Sequence, residues 1–208
     1  MKFLKGFFTA TILFLSVAIN AQNFDIDLLR SVNKNESAFK NDFSRITANS
    51  VTIVNIAAPL TLLTVGLAKH NKQLQKDAFY MVGGYALSAI VTHGAKVIIQ
   101  RDRPFNTYPD IIKKTEGGGY SLPSGHTSAA FYAATSLSIL FPKWYVIGPS
   151  FLWASAVGYS RMYQGVHYPT DILAGAVVGA GSAWITCKFQ HWMDKKNAIK
   201  KAAAPPAL

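Results

Sequence analysis

The feature that most constrains this chain is an alternation of uncharged stretches with short, lysine-bearing segments. Residues 51–68 and 78–95 each run without a single Asp, Glu, Lys or Arg, and shorter uncharged runs follow at 127–141, 144–159 and 172–187. Backbone that leaves water must satisfy its N–H and C=O groups within itself, and uncharged runs near this length do so as helices crossing a membrane. The alternation therefore predicts an all-α fold, a membrane helical bundle of about five to six helices. Pro59 lies inside the first run and is tolerated there. Gly175, Gly179 and Ala183 recur at four-residue spacing in the last run, which predicts a close helix–helix approach.

Charge placement gives the topology. Half of the 208 residues are hydrophobic and 15% are charged, against the quarter or so usual in soluble domains. The formal net charge is +11, yet no basic recognition helix or aromatic stacking platform accompanies it, which argues against nucleic acid. With the N-terminus inside, Lys69, Lys72 and Lys76, the turn at Lys143, and the tail from Lys188 all fall on the cytoplasmic side, as the positive-inside rule requires. Residues 1–21 carry Lys2 and Lys5, an uncharged run, and a small residue before Gln22; they read as a signal peptide or a first membrane helix. Residues 22–50 form a polar extracytoplasmic segment. Its Phe24, Ile26, Leu28 and Leu29 suggest a short amphipathic element, lying on the membrane or on the domain, with nothing catalytic in it. The bundle domain is expected over 51–190, followed by a basic, partly disordered tail at 191–208. Cys187 is the single cysteine and reads as a small packing residue.

Three polar stretches stand among the apolar runs. The first, Lys96 to Pro104, places Lys96 and Arg103 seven residues apart, two turns of a helix and hence on one face. The second, Pro123-Ser124-Gly125-His126, opens an apolar run, where a helix N-terminus offers unpaired N–H groups to an anion. The third, Ser160 to Asp171, reads SRMYQGVHYPTD. Arg161 supplies a planar fork of donors for phosphate or carboxylate. His167 and Asp171 are four apart, so a helix beginning at Pro169 brings them near one another, and the carboxylate then orients the imidazole. A loop with a surface arginine and a capping aspartate is the plainer reading of the same stretch. The cluster of cations disfavours a metal at His126, His167 and Asp171. Leu122 to His126 lacks the G-x-S-x-G elbow, so Ser124 is cast as an N-cap or phosphate donor. Gly117-Gly118-Gly119 reads as a flexible covering loop, Arg101 and Asp102 as an adjacent surface pair, His93 as a satisfied helix histidine, and Tyr163 and Tyr168 as interfacial anchors.

In order, the three stretches read K-x6-R-P, P-S-G-H and S-R-x5-H-x3-D. Together they resemble the type 2 phosphatidic acid phosphatase (PAP2) family, whose superfamily also holds class A acid phosphatases and vanadium haloperoxidases. The resemblance covers Lys96 to Asp171 and departs at no signature position. It implies a metal-independent phosphatase with His167 as nucleophile, Asp171 as its orienting group, and His126 as acid and then base. Lys96, Arg103, Ser124, Gly125 and Arg161 would hold the phosphate, with no cofactor. The implied substrate is a lipid phosphate or pyrophosphate of the phosphatidic acid, phosphatidylglycerophosphate, undecaprenyl pyrophosphate or lipid A class. The implied site is the periplasmic face of a bacterial inner membrane. A soluble periplasmic acid phosphatase, a haloperoxidase and a phosphotransferase are the competing expectations. Oligomeric state is not legible.

Overall fold

Residues 24–33 form a first helix, α1, and the chain then turns into a much longer one. Ser37 starts it: its backbone is extended and its side chain accepts a hydrogen bond from the Lys40 N–H, satisfying one of the donors a helix start leaves free. The resulting α2 runs Ala38–Ala68. The structure, a computed structural model, describes residues 24–34 and 36–202. The expected signal peptide or first membrane helix at 1–21 and the Ala/Pro end at 203–208 lie outside those residues.

Asn71 caps α3, Lys72–Ile99, by accepting from the Gln73 and Leu74 N–H groups. A single turn, α4, spans Pro104–Thr107. The remaining long helices are α5 (Gly125–Leu140), α6 (Trp144–Tyr163) and α7 (Pro169–Ala202). No strand occurs among the described residues. The all-α expectation holds, with five long helices among the described residues. Each long helix coincides with one uncharged run, and most extend well past it. Lack of charge marks what can sit in lipid, whereas capping and backbone geometry decide where a helix stops. For this reason α2 passes without a break through the expected division at residue 50.

Among the described residues, three stretches are long and apolar enough to cross a membrane: Ala38–Ala68, Lys72–Thr107 and Pro169–Lys200. At 16 residues α5 rises only about 24 Å, short of the hydrocarbon core. It takes the centre of the bundle instead. Ala130, Ala133 and Ala134 on it are fully buried, and its neighbours are α7, α6, α3 and α2. The predicted small-residue stripe explains the tightest of these contacts. A Cβ on Gly179 would stand 2.1 Å from the Ser128 carbonyl oxygen, so only glycine lets α7 lie this close to α5. Polar groups inside the bundle pair across helices: the Ser88 and Ser128 hydroxyls are 2.8 Å apart, Tyr132 donates to the Met81 carbonyl, and Trp153 donates to Ser50. Large apolar side chains such as Ile53, Leu60, Phe79, Ile90, Leu152 and Val177 face outward, the pattern of a lipid-facing surface.

The helices alternate in direction, so their connections fall at two ends. The 69–71 turn, the 141–143 turn and the end of α7 share one end, where Lys76 pairs with Asp194 at 2.7 Å. The other end carries all three polar stretches, capped by α1. Ile26 and Leu29 of α1 are buried against Ile111, Tyr168, Phe105 and Met162, so the amphipathic element lies on the domain. Asn33 locks it there, donating to the Ile112 and Tyr163 carbonyls and accepting from the Ile112 N–H.

Candidate active site

Two helix starts meet at the centre of the capped end. The Ser124 N–H donates to the Asp171 carbonyl at 3.0 Å, joining the first turn of α5 to the first turn of α7. Ser124 caps α5 as expected, accepting from the Thr127 N–H. The chain reaches α7 from α6 through Gly165, whose φ of +72° and close approach to the Ile112 carbonyl suit glycine alone. That turn sends His167 back over the bundle.

Because α7 begins at Pro169, His167 and Asp171 do come together. His167 Nδ1 lies 3.4 Å from Asp171 Oδ2, which also accepts from the Tyr168 N–H at 2.9 Å. The imidazole is 2% exposed and the carboxylate is fully buried. Burial pushes the His167 pKa down to about 4; Asp171 opposes that shift, and Arg103 and Arg161 add to it. The ring is therefore neutral at ordinary pH. With Nδ1–H toward the carboxylate, Nε2 keeps a free lone pair, the requirement for a nitrogen nucleophile.

Cations surround the pair, although not by the expected route. Lys96 and Arg103 do not share a helix face. Gln100 turns left-handed at φ 53° and ends α3, leaving Arg103 in the extended position before α4. Both nonetheless reach the same loop. Lys96 Nζ donates to the Tyr120 and Ser121 carbonyls. Arg103 donates to the carbonyls of Gly118, Gly119 and Val166 at 2.8–3.0 Å. The Gly117–Gly119 loop, expected to be flexible, is thus held by Arg103, and the two residues after it by Lys96. Each guanidinium has five N–H donors, so Arg103 keeps one free on each Nη. Arg161, 5% exposed, spends Nη1 on Gln164 at 2.6 Å. Its Nε is buried without a partner among the described residues. A buried charged donor with no acceptor is costly, and an anion would satisfy it.

Lys96, Gly125 and His126 line a cavity of about 290 Å³ whose other wall includes Val51, Ala89 and Ala129. His93 lines it too and is exposed. The site therefore gathers a neutral imidazole with its carboxylate, a second imidazole, a helix N-terminus and three cations. Such a set has the chemistry to hold a tetrahedral oxyanion and to accept a phosphoryl group on nitrogen.

Other readings from the sequence are corrected. Arg101 does not pair with Asp102: half-buried, it donates to Asp171 Oδ1 at 2.8 Å and to Asp25 Oδ2 at 2.7 Å. Its partner Asp25 belongs to the segment in which nothing catalytic was expected, and it is 2% exposed. Spacing could not reveal this pair, since 76 residues separate its members. Tyr163 and Tyr168 are buried rather than interfacial; Tyr163 donates to Asn41, and Tyr168 lies beneath the Arg101 guanidinium at 3.8 Å.

The family model of the PAP2 superfamily matches residues 77–195. An undecaprenyl-diphosphatase of Sulfolobus acidocaldarius is 26% identical over 80% of this chain and 79% of its own. A lipid A 4'-phosphatase of Bacteroides thetaiotaomicron is 39% identical over 39% of this chain, a match that spans only 36% of that relative. Among solved structures, Aquifex aeolicus LpxE superposes with a TM-score of 0.69 at 25% identity, covering 79% of this chain and 95% of that one.

Proposed function

Since the chain belongs to the PAP2 superfamily, we propose that it is a membrane phosphatase that removes phosphate from a lipid phosphate or pyrophosphate. The observation that carries this reading is the buried His167–Asp171 pair beside the unpartnered Nε of Arg161. His167 Nε2 attacks phosphorus. The N–P bond forms as the P–O bond to the leaving group breaks, and His126, protonated once a phosphate dianion lies beside it, gives that oxygen its proton. Asp171 stabilises the positive charge on the phosphorylated ring. His126 then takes a proton from water, water attacks phosphorus, and the N–P bond breaks to release phosphate. Arg161, the free donors of Lys96 and Arg103, Ser124 and the Gly125 N–H neutralise the equatorial oxygens, where most stabilisation in phosphoryl transfer resides.

The cavity supports an amphiphilic substrate, because it is cationic at Lys96 and apolar at Val51, Ala89 and Ala129. The relatives named for undecaprenyl diphosphate and lipid A favour the same class. The lysine-rich end, opposite the site, fits a cytoplasmic face and supports a site on the periplasmic side of a bacterial inner membrane. Phosphate release by detergent-purified protein, with EDTA present and His167→Ala as control, tests the reading. Turnover of a lipid phosphate or diphosphate, insensitive to EDTA and absent in the variant, is expected. Faster turnover of water-soluble esters would replace it with a general acid phosphatase, and turnover by His167→Ala would end the mechanism.

A further inference from the structure

Asp171 presents two oxygens, and they face different partners. Oδ2 lies toward His167 and accepts from the Tyr168 N–H, while Oδ1 accepts from Arg101 Nη1. Arg101 therefore sets the rotation of the carboxylate plane that aims Oδ2 at the imidazole. An arginine in that position also has a cost. Alone, it would cancel the negative charge that Asp171 must direct at His167.

The second carboxylate resolves the conflict. Arg101 Nη2 donates to Asp25 Oδ2 at 2.7 Å, so one guanidinium is shared between two carboxylates. The group of Asp25, Arg101 and Asp171 keeps a net negative charge. Asp25 is fixed in turn by Thr170, whose N–H donates to Oδ1 at 2.8 Å and whose hydroxyl donates to Oδ2 at 2.6 Å. Arg101 Nη1 also donates to the Thr170 hydroxyl, and the guanidinium lies over the Tyr168 ring. The far end of this chain is α1, which is held by its own apolar face and by Asn33.

We infer that Asp25 and Arg101 are positioning residues of the reaction: α1 holds Arg101 through Asp25, and Arg101 holds Asp171 in the orientation that His167 needs. The inference rests on His167 being the nucleophile. It gives the N-terminal segment a part in the chemistry, although none of its side chains is assigned to the phosphate.

The test is steady-state kinetics of the full chain in detergent on one lipid phosphate, with Asp25→Asn, Arg101→Gln, the double variant and His167→Ala. Outer partners of this kind are typically worth about 10- to 100-fold in activity. Asp25→Asn is expected to lower kcat about tenfold and Arg101→Gln about 100-fold, with KM moving less than about twofold, because neither touches substrate. The double variant should be no slower than Arg101→Gln alone, since the two act in series. Arg101→Lys keeps the charge and the packing on Tyr168 but cannot span both carboxylates. It covers the case in which Arg101→Gln unfolds, and should lose kcat at an unchanged melting temperature. Single variants with wild-type kcat, or losses that multiply in the double variant, would overturn the inference while an inactive His167→Ala left the nucleophile standing. Turnover by His167→Ala would remove the premise itself.

Discussion

At one end of the bundle, Lys69, Lys72, Lys76, Lys143, Lys188, Lys195 and Lys196 are all exposed. At the other, Arg103, Arg161, His167, Asp171 and Asp25 are all buried. Charged groups of similar type thus serve two physical purposes. The exposed lysines act by number and by side of the membrane: each remains hydrated, and any one is replaceable. The buried groups act by geometry. Once removed from water, a charge must be matched by a partner, so each has a defined one, and Arg161 Nε waits for an anion.

This difference orders the expected effects of substitution. Arg161→Lys keeps the charge but loses the planar fork and should lower kcat by about 10²-fold, the scale of one lost transition-state donor. Phosphate release on a lipid substrate checks it; unchanged kcat would place Arg161 outside the site. The pH profile should show a milder, graded effect. With its pKa pushed down to about 4, His167 stays neutral and nucleophilic above that pH and loses activity as pH falls through it. Stability follows the same sign. Between the ordinary imidazole value of about 6.5 and that lowered value, the unfolded chain binds the extra proton, so folding weakens as pH falls through this window. An acid limb of kcat/KM near the ordinary imidazole value, after correction for the substrate's own ionisation, would contradict the burial argument. At the opposite end, Lys195→Gln with Lys196→Gln should leave kcat within about twofold, as exposed substitutions generally do. A larger loss there would mean that the two ends are coupled.

The same contrast explains what was legible in the sequence. Periodic and compositional features read well: the uncharged runs located every long helix among the described residues, the small-residue stripe marked where α7 approaches a neighbour closely, and H-x3-D located a pair that meets once Pro169 starts α7. Features that depend on a single backbone turn did not. The left-handed Gln100 separates Lys96 from Arg103, and no spacing rule announces it. Nor did any local pattern mark Asp25. Its role arises from the docking of α1, and only the folded chain brings it to Arg101. The Gly117–Gly119 loop misled for a related reason. Glycines in sequence suggest freedom, whereas their carbonyls are held by Arg103, and those of the following residues by Lys96.

The central claim is that the buried end carries out phosphoryl transfer through His167. The most direct measurement is a rapid acid-free quench of the protein with a lipid substrate labelled in its phosphate, followed by peptide mapping of the protein-bound label. The account predicts an alkali-stable, acid-labile phosphate on His167, absent from His167→Ala and accumulating in a His126 variant given a lipid diphosphate, whose phosphate leaving group departs without a proton from His126. Label on any other residue, or steady turnover with no protein-bound phosphate in either protein, would contradict it.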